Sequence, residues 1–432
     1  MSFRGKLWIM VLSGVVSAYA VVGGLPFVGG LLSTSAQQPV SDSTAQLRIV
    51  ESVLNHIQND YVDDPNMEKV RLGALRGLAG GLDPYSSFLT AEQVKAYDAN
   101  KSSNKVGIGA EFSQISGYLY VISAIKGAPA DKSGIKSGDF VEYIDTKATR
   151  DISLYDARQL VNGDAGSTVA LRVLRAGEKP QTIKVVRAAY KIPTAESRIE
   201  AGKVGVIKVY SLEDGGAADI RNQVQSLSKQ GVQKIVLDLR GVAAGSLQEG
   251  VNVANLFIRE GELAKVIGRD NKLITTYTAD AAKTIFDGQM AVLIDLGTAG
   301  AAEAVASAVL ERKRGEVVGE KTFGAGTEQK LFPLKSGEGM LLTVSKWASA
   351  SGTPFLGEER STMGVKPSIE VKRPDTPEPL DVDNLDGEQN EPNPAATPTP
   401  TPKPVQKQTE DVQLKKALEV LADKAAAAKS GS

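Results

Sequence analysis

The sequence predicts a multidomain α+β protein with a helical N-terminal region, a β-rich middle domain and an α/β core. Three observations predict it. Apolar residues recur at helical spacing before residue 100, short glycine-punctuated strands fill residues 104–190, and strands alternate with helices from Val204 to Val371. At 432 residues the chain exceeds what one compact core accommodates, so several domains plus tails are expected.

The first segment reads as an export element. Arg4 and Lys6 precede an uncharged apolar stretch from Leu7 to Leu32, and the next charge is Asp42. Ala18-Tyr-Ala20 offers a small-x-small cleavage site, but the apolar run continues past it for long enough to span a bilayer. An uncleaved anchor is favoured over a cleaved signal, although Pro26 and the glycines around it weaken the distal part as a helix. Both readings place the bulk outside the cytoplasm, in the periplasm or an equivalent extracytoplasmic space.

Composition removes whole classes of chemistry. With 50 Lys+Arg against 51 Asp+Glu, no global field draws the chain to nucleic acid. There is no cysteine, so disulfides and thiol catalysis are excluded. His56 is the single histidine, which excludes multi-histidine metal sites and leaves one candidate imidazole for any Ser-His-Asp triad. It sits on the first predicted helix, marked by Leu47, Val50, Val53, Leu54 and Ile57, with no catalytic partner nearby. No cofactor is expected.

Val70, Leu72, Leu75 and Leu78 mark a second helix. Gly81-Leu-Asp-Pro-Tyr-Ser-Ser-Phe-Leu89 breaks the pattern, and Thr90 with Gln93 forms a capping box that opens a third. Val106-Gly-Ile-Gly-Ala-Glu-Phe112, the strand from Tyr118 to Ser123, Ala128-Pro-Ala-Asp-Lys-Ser-Gly-Ile-Lys-Ser-Gly-Asp139, a helix near Ser153 to Asn162 and the strand Val169–Leu174 then follow in order. This order resembles a PDZ domain of the kind found in bacterial proteases. The resemblance implies that the backbone N–H groups of Gly107, Ile108, Gly109 and Ala110 receive a peptide's C-terminal carboxylate while the peptide adds a strand. Glu111 beside the loop is expected to disfavour acidic tails.

In the core, strands are expected at Val204–Val209, Lys234–Leu239, Ala291–Asp295, Glu316–Gly319, Met340–Lys346 and Ser368–Val371. Helices are expected at Ala217–Lys229, Leu247–Ile258 and Ala299–Lys313. From Arg373 the chain turns rich in Pro, Thr, Asp and Glu, which makes a spacer, and apolar spacing predicts a last helix over roughly residues 410–428. The expected divisions are 1–43 (signal or membrane anchor and linker), 44–103 (helical region), 104–190 (PDZ domain), 191–372 (α/β core), 373–408 (Pro-rich linker) and 409–432 (helix and tail).

Gly81-Leu-Asp-Pro, the PDZ pattern, Leu237-Asp-Leu-Arg240, Gly319-Glu-Lys-Thr-Phe-Gly324 and Gly364-Val-Lys-Pro367 occur in one order over about residues 44–372. Together they resemble the carboxyl-terminal processing, or tail-specific, peptidases. The resemblance implies an α/β core like the crotonase and Clp protease folds. It also implies a Ser nucleophile with a Lys base, a pair that needs neither imidazole nor metal.

The segments that would carry that pair depart from the family. Gly300 stands at the nucleophile position within Gly297-Thr-Ala-Gly-Ala-Ala-Glu303, and Ala325 at the base position within Thr322-Phe-Gly-Ala-Gly-Thr-Glu-Gln329. Their spacing equals the family interval, so a shifted alignment does not explain both losses. The family's Asn-Pro-Gly-Gly oxyanion turn is replaced by Val242-Ala-Ala-Gly245, which keeps Gly245, with Ala301 as the other remnant donor. A left-handed Ala244 would cost roughly 1–2 kcal/mol, so a reshaped turn is expected. Gln329 is retained. Thr298, Lys321 and Ser307 are the candidates for displaced chemistry, and none is well placed for it. The expected function is therefore an inactive homologue that binds protein or peptide C-terminal tails. Two alternatives stay open: an active serine-type peptidase using displaced groups, and a structural or regulatory partner of an active related peptidase.

Overall fold

The computed structural model describes residues 43–99, 106–373 and 410–430. The predicted anchor and most of the Pro-rich linker lie outside the described residues. Among the described residues no helix is long and apolar enough to cross a membrane.

The chain divides into two units, 1–73 and 74–432. Helix α1 (Ser43–Asp60) belongs to the first, and α2 (Met67–Gly80) runs across the division. His56 is exposed on α1 and pairs one turn on with Asp60 at 2.6 Å. It is a surface helix residue, as its sequence context indicates.

In the second unit, β1 (Ser87–Leu89) leads into α3 (Ala91–Ala99). The Gln93 amide N–H donates to Thr90 Oγ1 and the Thr90 N–H donates to Gln93 Oε1, closing the expected capping box. The PDZ-like region follows, with β2 (Ala110–Ile115), β3 (Tyr118–Ala124), the single turn α4 (Pro129–Lys132), β4 (Phe140–Ile144), β5 (Lys147–Ala148), α5 (Leu154–Val161), β6 (Thr168–Leu174) and β7 (Gln181–Val186). Its antiparallel sheet runs β2-β3-β4-β6-β7, with β5 beside β4. Successive residues of β3 face opposite ways. Leu119 and Val121 join the domain's own core with Ile108, Phe112 and Val141, whereas Tyr118, Tyr120 and Ile122 join a separate cluster with Ala299, Phe323 and Ala325.

The core is built on β8 (Glu196–Glu200), β9 (Val204–Lys208), α6 (Gly216–Lys229), β10 (Lys234–Asp238), α7 (Leu247–Asn255), β11 (Glu262–Ile267), β12 (Leu273–Thr278), β13 (Gln289–Ile294), α8 (Ala301–Glu311), β14 (Glu316–Gly319), β15 (Thr327–Pro333), β16 (Gly339–Ser349) and β17 (Ile369–Glu370). One sheet runs β17-β14-β13-β10-β9-β8, parallel from β17 to β9. Strands β9, β10, β13 and β14 are almost continuously apolar because both faces are covered there. Helices α6, α7 and α8 pack on one face. The other face takes α9 (Val412–Ser430) through Leu414, Ala417 and Leu421. A second sheet, β1-β16-β11-β12 with β15 on β16, is antiparallel. Four of its strands, β1, β11, β12 and β15, were not expected from the sequence.

Candidate functional site

The C-terminal ends of β10 and β13 bring together the turn 241–246 and the start of α8, where an open parallel sheet places its ligands. Gly300 precedes the first residue of α8 with φ 57° and ψ −113°, a conformation that costs a residue with a side chain but not glycine. A Cβ there would find room, 3.4 Å from the Trp347 ring and 3.9 Å from the Ala243 carbonyl. The space for a side chain exists even though none is supplied.

What organises this corner is Glu303, one turn into α8 and fully buried. Its Oε2 accepts the N–H of Gly300 at 2.7 Å and of Ala325 at 2.9 Å. Its Oε1 accepts the N–H of Gly324 at 2.8 Å and the Thr322 hydroxyl at 2.5 Å. One carboxylate oxygen therefore clamps the backbone of Gly300 and Ala325 together. Burial pushes the Glu303 pKa up to about 7, against the pull of these donors. Sequence reasoning passed over Glu303. The available signal was an acid three residues after a glycine that opens a helix.

The candidates for displaced chemistry are all engaged elsewhere. Thr298 is buried; its hydroxyl donates to the Leu239 carbonyl at 2.9 Å and accepts the Asp295 N–H at 3.0 Å. Lys321 donates to the carbonyls of Arg360 and Ser361, both at 2.9 Å. Ser307 donates to the Ala304 carbonyl within its own helix. Gln329 donates to the hydroxyls of Thr327 and Thr343.

Ala244 does not adopt a positive φ, so the left-handed cost does not fall on it. Gly241 and Gly245 carry the unusual torsions instead, at φ 72° and 145°. A Cβ on Gly245 would sit 2.4 Å from the Leu212 carbonyl oxygen, which explains why a glycine persists there. Arg240 leads into the turn and is held by Asp238 at 2.7 Å and by Asp411, beside α9, at 2.8 Å. Gly245 and Ser246 also border a cleft of about 560 Å³ lined by Ile192, Pro193, Glu213 and Asp219.

The PDZ loop presents a different picture. Gly109 takes φ 71°, and a Cβ there would approach Ala128 Cβ to 2.3 Å. The loop's carbonyls are engaged: Ile108 accepts from Ala130 and Gly109 from Ile125. The N–H groups of Gly107, Ile108 and Gly109 donate to no protein acceptor among the described residues. Glu111 lies 3.8 Å from Arg158, and its pKa is raised by burial, with Arg158 opposing and Glu213 adding to the rise. Among the described residues no cluster of His, Cys, Asp or Glu is arranged to hold a metal.

Residues 203–371 match peptidase family S41, and residues 106–186 match a PDZ domain. The chain is 30% identical over 371 residues to the carboxy-terminal processing protease CtpA of Bacillus subtilis, covering 86% of this chain and 78% of that protein. The chain belongs to the carboxy-terminal processing peptidase family. A probable CtpA-like serine protease of Staphylococcus aureus is likewise 30% identical, over 85% of this chain and 73% of its own length. The solved photosystem II D1 C-terminal processing protease superposes with a TM-score of 0.62 at 26% identity, covering 76% of this chain and 93% of that one. The family fold is thus present from the N-terminal helices through the PDZ domain to the S41 core.

Proposed function

We propose that this family member has lost peptide-bond hydrolysis and acts by binding the C-terminal tails of proteins through its PDZ domain. The observation that carries the proposal is the pairing of Gly300 and Ala325 on one buried carboxylate. Two positions held in that relation by Glu303 are where a nucleophile and base would have to meet, and neither residue has an atom that attacks a carbonyl or accepts a proton. The hydroxyls and amine nearby are committed to carbonyl groups, which speaks against displaced catalysis.

Tail binding is supported by the unpaired amides of the 107–109 loop. Buried or half-buried N–H groups are seldom left without acceptors, and a terminal carboxylate supplies them. The basic residues and apolar run before residue 33 support export and retention at the membrane. Calorimetry with a peptide ending in an apolar residue, as the free acid and as the C-terminal amide, tests the binding half. Heat of binding is expected for the acid alone, and equal binding of both forms would rule out carboxylate capture. Co-purification of a related active peptidase, with no binding of free tails, would instead favour the regulatory-partner reading.

A further inference from the structure

The candidate site lies at the C-terminal ends of β10 and β13. The opposite end of the same sheet carries another cleft, of about 780 Å³, within the size range of small-molecule sites. Phe257 and Ile258 give it a buried apolar lining. The rest is strongly cationic: Arg259 lies beyond the end of α7, and Arg312, Lys313 and Arg314 form the turn from α8 into β14.

The cations are held in place by the backbone around them. The Arg312 guanidinium lies against Gly261, whose φ is 90°, and a Cβ there would sit 2.9 Å from Nη1. Glycine leaves the space that seats the fork. Arg314 is half-buried and donates to the carbonyls of Phe257 at 2.7 Å, Phe286 at 3.0 Å and Gly288 at 2.7 Å. These bonds fix its position without cancelling its charge. Of the two carboxylates bordering the cleft, Asp287 is bonded through both oxygens to Arg259, and Glu260 is exposed. Among the described residues neither Arg312 nor Lys313 has a carboxylate partner.

We infer that this cleft is a binding site for a dianionic phosphate group, with the Arg312 guanidinium and the Lys313 ammonium as its main contacts. Four cations against two carboxylates leave two positive charges, the number that a phosphate dianion neutralises. A phosphate offers three terminal oxygens in a tetrahedral array and accepts from several directions at once, whereas a carboxylate offers two in one plane. Arg314 and the Arg259–Asp287 pair stand behind these contacts and add to the field. The inference is independent of whether the far end of the sheet hydrolyses anything.

Calorimetry on the full-length chain at about pH 7.5, where phosphate is largely dianionic, tests it with inorganic phosphate and with glycerol 1-phosphate. Saturable binding of at least one probe is expected, weakening as salt is raised. Either probe supports the site, and the tighter of the two separates a free ion from a phosphate ester such as a lipid headgroup. Arg312→Gln with Lys313→Asn is expected to weaken binding by roughly tenfold or more. Both side chains are exposed, and asparagine suits the left-handed φ of 52° at 313. Should that variant fail to fold, Arg312→Glu alone is expected to do the same. No binding of either probe, equal binding of malonate, or binding unaltered in a folded variant overturns the inference.

Discussion

Two glycine-bearing loops in this molecule have opposite hydrogen-bond balances. At 107–109 the carbonyls of Ile108 and Gly109 are used, and three successive N–H groups are spare among the described residues. At 300 and 322–325 the N–H groups of Gly300, Gly324 and Ala325 and the Thr322 hydroxyl end on Glu303, and the N–H groups of Thr322 and Phe323 on the carbonyls of Val365 and Thr298. The first loop is built with a debt that a ligand carboxylate can settle, and the second is closed within the protein. On the proposed reading, the S41 segment closes its backbone on Glu303 while neither Gly300 nor Ala325 brings a side chain that could attack a peptide bond.

The largest effect expected is on the closed loop. Glu303→Ala leaves three buried N–H groups and a hydroxyl without acceptors, which should cost more than about 3 kcal/mol of stability. Denaturant titration checks this, and a loss below ~1 kcal/mol would show that the clamp is incidental.

Next is the attempt to restore chemistry. Gly300→Ser with Ala325→Lys should yield at best feeble cleavage of a tail-tagged substrate. The serine must enter the φ 57°, ψ −113° conformation at a cost of about 1–3 kcal/mol. On the proposed reading the turn at 242–245 also lacks an oxyanion donor, and loss of one such donor costs about 10²–10³ in rate. Adding Asn-Pro-Gly-Gly at 242–245 should help more than the double change alone. Robust turnover in the double variant would mean that the turn already functions.

A pH series separates the clamp's charge from its geometry. The folded pKa of about 7 lies above the reference value of 4.5 for Glu303. The folded state then holds its proton more tightly, so this stabilising contribution is full below about pH 4.5 and is lost as pH rises through 7. The change is on the order of 3 kcal/mol. Glu303→Gln should flatten that slope, and an unchanged slope would remove Glu303 as its source.

The smallest expected effect concerns the open loop. Replacing a tail's free carboxylate by an amide should weaken binding by about tenfold or more, since charge-assisted hydrogen bonds are worth roughly 1.5–3 kcal/mol. Gly109→Ala should weaken it too, because the added Cβ collides with Ala128.

Local signals made much of this legible. The parallel strands were visible as apolar runs, and α3 through its cap at Thr90. The antiparallel sheet was not. Strand β12, Leu273–Thr278, has hardly any alternation of burial, and β15 reads as mixed polar, so partners distant in sequence decide their pairing. Gly300 and Ala325 could be singled out in the sequence, but the clamp joining them could not, because Glu303 resembles any acid in a helix's first turn. The cost of a left-handed Ala244 could be read from the sequence, but not that Gly241 and Gly245 take the unusual torsions.

The central claim is binding without hydrolysis. The protein would be incubated with an unstructured substrate bearing an apolar C-terminus and followed by mass spectrometry, alongside Thr298→Ala and Lys321→Ala variants. The account predicts a bound, intact substrate in every case. Turnover that survives repurification and disappears in either variant would contradict it.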